Sequence, residues 1–304
     1  MRPIVRHLLL LAAALVLLAA PASAQALVVG IADQKPDMFT DKRFTELHIK
    51  HARLAVAWDA MRYGWQREEI DRWMAGAQLA GVYPLVSFGH SRVHRRKLPS
   101  PERMRREFRR FRARYPFVTN FATWNEANHC GQPTCHREKL VAAYWRQLRR
   151  ECRRCKILAA ELLDMPNTVG WVRAFRRHAR REPAVWGLHN YVEANRFKTT
   201  RLRRLLRATK GNVWLTEVGG LVKRRTKKKY TVKRIPESAR HAQRVMRFIF
   251  DEVIELSPRI TRVYLYHWNA QTSWDGWDSA LVGPTGRERP ALAILRKRIR
   301  DMRG

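Results

Sequence analysis

Two glutamates carry the clearest chemical signal in this sequence. Glu126 closes the run Thr123-Trp124-Asn125-Glu126, where an apolar stretch gives way to a polar loop. Glu217 closes Trp214-Leu215-Thr216-Glu217 in the same manner. A carboxylate next to Trp and Asn at a strand end adds little to folding. Paired carboxylates are what cleavage of a glycosidic bond requires: one protonates the leaving oxygen and the other attacks the anomeric carbon or activates water. Other side chains suit a sugar ligand. Trp58, Phe88, Trp124, Trp268, Trp274 and Trp277 present flat apolar faces, and His90, Asn128, His129, Asn190 and Asn269 can hydrogen bond. Any one of these tryptophans read alone is more readily a core residue. Trp274 and Trp277 differ, because Ser273-Trp274-Asp275-Gly276-Trp277-Asp278 is a polar loop, and a subsite wall is expected there. Glu161 ends the fifth strand at the rim, where it either binds substrate or pairs with an arginine, and the pairing is the expectation.

These residues need a scaffold that brings distant segments to one rim. Short apolar, β-branched runs alternate with longer amphipathic ones. Strands are expected at 27–32, 52–57, 82–88, 117–124, 156–161, 184–189, 213–216 and 262–267, with Pro84 a weak point in the third. Between them lie helical patterns. Ser100-Pro101 is an N-cap followed by Pro at the first helical position, and Asp41 is placed to cap a short helix. Longer helices are expected at 67–79, 137–152, 168–178, 200–208, 237–256 and 290–300. Strict alternation implies parallel strands joined by helical crossovers. Eight such units in about 280 residues favour a closed (β/α)8 TIM barrel over an open sheet, with the site at the C-terminal ends of the strands. No glycine-rich phosphate fingerprint follows the first strand, which argues against a dinucleotide fold.

The chain has 304 residues, 45% of them hydrophobic, enough for one large core. Arg2 and Arg6 precede an apolar run from Leu8 to Ala20, followed by Pro21 and Ala22-Ser23-Ala24. This pattern predicts a secretory signal peptide, residues 1–24, ahead of one catalytic domain, 25–304, and a secreted or wall-associated protein. The apolar run is short for a membrane span, which needs roughly 20 residues, so no stable span is expected. Four cysteines in an exported chain point to disulfides. Local pairing of Cys130 with Cys135 and of Cys152 with Cys155 is the simplest of three connectivities. His129 and His136 flank the first pair, but the spacing is incomplete for zinc and no metal or cofactor is expected. Without the leader, 59 basic residues face 26 acidic ones, a net charge of +33. Such a surface attracts polyanions, an anionic cell-wall polymer among them. Arg92, His94-Arg95-Arg96-Lys97 and 223–229 are the densest runs. No nucleic-acid motif accompanies the charge, so a nucleic-acid partner is not expected.

Thr-Trp-Asn-Glu at the fourth strand and Trp-Leu-Thr-Glu-Val-Gly at the seventh resemble the clan A glycoside hydrolases, the retaining β-glycosidase and endo-glucanase superfamily of (β/α)8 barrels. The resemblance implies that Glu126 is the acid/base, that Asn125 binds the sugar 2-hydroxyl and that Glu217 is the nucleophile. It also implies that Arg53 lies near the nucleophile, that His189 and Tyr191 orient it, and that Trp268 lies beneath the sugar being cleaved. Glu126 is then expected to have a raised pKa and Glu217 to be ionised, stabilised by Arg53 or Tyr191. The expected substrate is a β-linked polysaccharide or oligosaccharide. The competing reading is a barrel that binds anionic wall polysaccharide without cutting it.

Overall fold

The structure is a computed structural model describing residues 26–224, 235–271 and 276–304. The segment read as a signal peptide, Trp274 and most of the basic run at 223–229 lie outside these residues. The strands, in chain order, are β1 (Val28–Ala32), β2 (His51–Ala57), β3 (Tyr83–Gly89), β4 (Asn120–Ala122), β5 (Lys156–Leu158), β6 (Glu161–Leu163), β7 (Val185–His189), β8 (Asn212–Val218), β9 (Lys223–Arg224), β10 (Ile260–Tyr266) and β11 (Trp277–Asp278). The helices are α1 (Lys42–Glu46), α2 (Gly64–Leu79), α3 (Pro101–Arg114), α4 (Glu138–Glu151), α5 (Thr168–Ala179), α6 (Tyr191–Ala194), α7 (Thr200–Ala208), α8 (Ala239–Phe248) and α9 (Pro290–Asp301).

The main sheet runs β5-β4-β3-β2-β1-β10-β8-β7-β6, and all its pairings are parallel. β5 and β6 are two halves of one strand, interrupted at Ala159-Ala160. The first half pairs with β4 and the second with β7. Ala159 N–H donates to the Val185 carbonyl, and Glu161 N–H to the Trp124 carbonyl. The chain thus bridges its two neighbours and closes the cylinder: eight strand positions, as the alternation predicts. The fourth and seventh strands of the sequence reading are β4 and β8, and the eighth is β10. β9 and β11 form a small antiparallel ribbon beside the mouth.

Local rules account for the elements. Ser100 Oγ accepts from Arg103 N–H and Asp41 Oδ1 from Arg43 N–H, the two expected caps. Pro84, the second residue of β3, is tolerated near the strand start. The long helix expected over 237–256 is an α-helix only to Phe248. A π turn over Ile249–Val253 and a short 3-10 turn follow. Two hydrophobic clusters divide the core. The larger lies between strands and helices; the smaller fills the bottom of the barrel lumen with Ala32, Leu85, Ala122, Leu158, Val185, Trp214 and Tyr264. Tyr264 fits because Gly30 faces it: a Cβ there would lie 2.6 Å from the Tyr264 ring. Among the described residues no helix is long and apolar enough to cross a membrane.

Candidate active site

Above the apolar floor the lumen becomes charged. Arg53 points inward from the middle of β2 and is 1% exposed. Its Nε donates to Glu161 Oε1 at 2.7 Å and its Nη2 to Asn125 Oδ1 at 2.7 Å, and Nη1 pairs with Glu217. One guanidinium therefore ties β2, β4, β6 and β8 together, using the planar fork that lysine lacks. Burial disfavours its charge, but Glu161 and Glu217 more than offset this and hold its pKa above the ordinary value. Glu161 is fully buried, accepts from Ser87 Oγ at 2.5 Å and lies 3.6 Å from His189 Nε2. Burial pushes its pKa up, and the charge and hydrogen bonds of Arg53 and His189 bring it well below the usual range. Glu161 is not a rim residue: it opens the second half of the split strand and lies in the lumen, paired with an arginine as expected. Gly187 makes room for it, since a Cβ at that position would come within 2.6 Å of Glu161 Cγ. Neither Ser87 nor Gly187 was singled out from the sequence; their lumen-facing register is the only signal that could have found them.

Glu217, in β8, accepts from Tyr191 Oη at 3.0 Å and from Arg53. Both expected stabilisers are present together. Glu126 follows β4 in a left-handed conformation (φ 48°), which turns its side chain over the mouth. His189 Nδ1 lies 3.2 Å from Glu126 Oε1 and 3.5 Å from Glu217 Oε2. One carboxylate oxygen of each glutamate and a His189 ring nitrogen lie within 4.8 Å of one another. Burial lowers the affinity of His189 for its proton, but Glu217, Glu126 and Glu161 raise the pKa to about 10. The pKa of Glu126 corrects the sequence-based expectation. Burial raises it, yet the His189 hydrogen bond and charge, with His129 and Arg53, bring it below the ordinary value. Sequence alone could not show that the imidazole sits between the two acids.

The aromatic residues divide in two. Trp124 and Trp268, expected at the sugar, are fully buried. Trp124 stacks on Tyr144 at 5.8 Å, because Asn125 takes the inward position and its neighbour faces the helices. Trp268 packs edge-on against Phe44, and its Nε1 donates to Asp41 Oδ2 at 2.9 Å, which draws the ring away from the mouth. Phe88 is likewise buried against Phe108 and Phe121. Asn128 is used structurally: its amide brackets Leu163 through both backbone groups. Trp277, by contrast, is half-buried with its ring 5.1 Å from that of Tyr191. Trp58 is buried, 3% exposed, at the wall of a cavity of about 330 Å³ at the same end of the barrel that Arg62, His94, Lys97 and Arg103 also line. His90 is half-exposed and hydrogen bonds with Gln132. Asn190, between His189 and Tyr191, is fully buried, and neither end of its amide has a partner among the described residues.

The cysteines are joined as Cys130–Cys135 and Cys152–Cys155, with Cα separations of 4.7 and 5.3 Å. A cation at Cys130, Cys135 and His136 would need free thiolates. At Glu126, His189 and Glu217 it would need a neutral imidazole in place of the cationic one.

The Arg53–Glu161 pair supplies a stability prediction. Arg53→Met strands Glu161 in the lumen and is expected to cost about 3–5 kcal/mol. Urea unfolding of Arg53→Met and of the double variant Arg53→Met/Glu161→Gln measures this. The double variant should recover part of the loss, whereas a loss under about 1 kcal/mol in the single variant would mean the pair is not buried as described.

No family model and no curated protein matches this chain. Solved structures do resemble it. GH5_18 from Streptomyces cattleya, in complex with GlcNAc, superposes with a TM-score of 0.66 at 18% identity over 92% of this chain and 81% of that one. An endo-1,4-beta-xylanase from Caldicellulosiruptor owensensis gives 0.64 at 14% identity, covering 90% and 97% of the two chains. Xylanase 10B from Thermotoga maritima gives 0.61 at 10%, covering 92% and 98%. The protein therefore has the closed (β/α)8 fold shared by the clan A glycoside hydrolases of families GH5 and GH10.

Proposed function

We propose that the protein is a retaining glycoside hydrolase acting on a β-linked polysaccharide or oligosaccharide, with Glu217 as nucleophile and Glu126 as acid/base. The observation that carries this reading is the close approach of the two carboxylates across the mouth, with oxygens within 4.8 Å. Retaining chemistry uses carboxyl groups about 5–5.5 Å apart, and inversion needs a wider gap to admit water. Arg53 and Tyr191 both hydrogen bond to Glu217 and aim it for attack on the anomeric carbon. The proton for the leaving oxygen resides on His189, one hydrogen bond from Glu126 Oε1, and passes to Glu126 as charge on Glu217 is consumed in forming the glycosyl ester. Water then attacks the ester, with Glu126 as base. Trp277 beside Tyr191 and the cavity that Trp58 walls are where sugar rings would be held. The leader pattern supports export.

The neighbours favour a neutral β-1,4 backbone as the first substrate to try. One is described as a GH5_18 enzyme with Manb1-4GlcNAc, and others as endo-1,4-beta-xylanases. The test is proton NMR of the first product formed from a panel of β-mannan, xylan and glucan oligosaccharides. A β-anomer appearing before mutarotation is expected. An α-anomer would overturn retention, and no cleavage of any β-glycan would favour the binding-only reading.

A further inference from the structure

A second concentration of charge lies at the opposite end of the barrel. Helices run antiparallel to the strands, so the C-terminal ends of α4 and α5 meet the N-terminal end of β5, away from the catalytic mouth. There Arg146, Arg149, Arg150, Arg153, Arg180 and Arg181 surround a cavity of about 470 Å³. The Cys152–Cys155 disulfide forms part of its wall. Among the described residues no carboxylate pairs with any of the six. The two acids closest in sequence are already engaged: Glu151 with Arg109, at 2.8 and 2.9 Å, and Glu182 with Arg176, at 2.8 Å. The arginines repel one another across the basin. Burial and the charges of Arg180 and Arg150 lower the pKa of Arg146, and burial and Arg181 lower that of Arg149.

Folding explains only part of this. Arg146 Nη1 donates to the His178 carbonyl and Arg149 packs over Trp145 at 4.8 Å, so these two have structural contacts. Two helix C-termini supply together about one unit of partial negative charge, against six cations. Arg150, Arg153, Arg180 and Arg181 are exposed and, among the described residues, make no ion pair or side-chain hydrogen bond, so they hold the basin positive without a contact that requires it. Several guanidinium forks converging on one concavity match a ligand with three acceptor oxygens and up to two negative charges better than a two-oxygen carboxylate.

We propose that this basin is a phosphate-binding site, separate from the catalytic mouth, that takes phosphoryl groups of a phosphate-bearing polymer or free phosphate. With a polymer as the source, it would tether the protein by the end of the barrel opposite the mouth. The proposal does not rest on the glycosidase reading.

Calorimetric titration with inorganic triphosphate tests it on three chains: the natural protein, Arg150→Gln/Arg153→Gln/Arg181→Gln, and the charge-matched control Arg203→Gln/Arg204→Gln/Arg207→Gln on α7. One saturable site is expected. The basin variant should bind at least about tenfold more weakly, since each lost charge-assisted hydrogen bond is worth more than tenfold-scale energy when satisfied, and the control should bind as the natural protein does. Melting curves verify that all three fold. Equal weakening in both variants, or no saturable binding, would overturn the proposal in favour of diffuse attraction. Polygalacturonate binding as tightly as triphosphate would overturn the phosphate class. Within a supporting result, long-chain polyphosphate binding tighter per chain than inorganic phosphate identifies a polymer as the source, and equal affinity identifies the free anion.

Discussion

Glu217→Gln is expected to reduce turnover of any accepted β-glycan by on the order of 10⁴-fold or more, while the melting temperature changes little. The amide keeps the shape of the side chain and loses its nucleophilic oxygen. Stability should survive because Arg53 retains its more deeply buried partner, Glu161. Glu217→Ala sharpens the test. It opens a cavity on the face opposite the leaving group, so added azide should attack there and give an α-glycosyl azide from a β-linked substrate. Turnover by Glu217→Gln at the natural rate would remove Glu217 from the mechanism. A β-glycosyl azide from Glu217→Ala would reverse the roles of the two glutamates.

Glu126→Ala should show the complementary pattern. General acid catalysis typically contributes about 10²–10⁴-fold, and the loss should fall on substrates whose leaving group needs a proton. Natural glycosides should lose the full factor, and an aryl glycoside with an acidic phenol much less in the glycosylation step. With azide this variant should yield a β-glycosyl azide, formed from the glycosyl-enzyme on the face that Glu126 vacates. The pH profile follows from the proton's location. Burial opposes the His189 charge, but its contacts with Glu217, Glu126 and Glu161 raise its pKa to about 10. The proton shared with Glu126 is thus present below that value and lost as pH rises through it. The alkaline limb of kcat/KM should accordingly lie above the ordinary histidine range, and Glu126→Ala should abolish it. A limb near the ordinary carboxylate value would show that the imidazole does not hold the proton.

Much of this architecture is legible in one dimension. Alternating β-branched runs and amphipathic stretches imply parallel strands with helical crossovers, because each pattern buries its apolar face in only one way. Eight of them close a barrel, and the barrel puts Glu126 and Glu217 at one end. Asn125, Arg53, Tyr191 and His189 were reached through the resemblance to clan A glycoside hydrolases, and the structure gathers them around Glu217, with Arg53 reaching up from the middle of β2. Local cysteine pairing followed from short separations.

Side-chain direction at strand ends was not legible. Trp124 and Trp268 sit beside inward-facing residues, and only packing against Tyr144 and Phe44 decides that their rings join the outer core. The break at Ala159-Ala160, which turns Glu161 from a strand end into a lumen residue, depends on closing the cylinder between β4 and β7. The charge states depend on it as well. A histidine between three carboxylates becomes a stable cation and draws Glu126 below its ordinary pKa, an outcome set by distances of 3.2–3.6 Å across different strands. The sequence by itself determined the fold class and which acids could act, since periodicity and residue chemistry are local properties. Only the tertiary structure decided which ring faces the mouth and where the proton rests, because burial and electrostatic coupling arise between segments far apart in the chain.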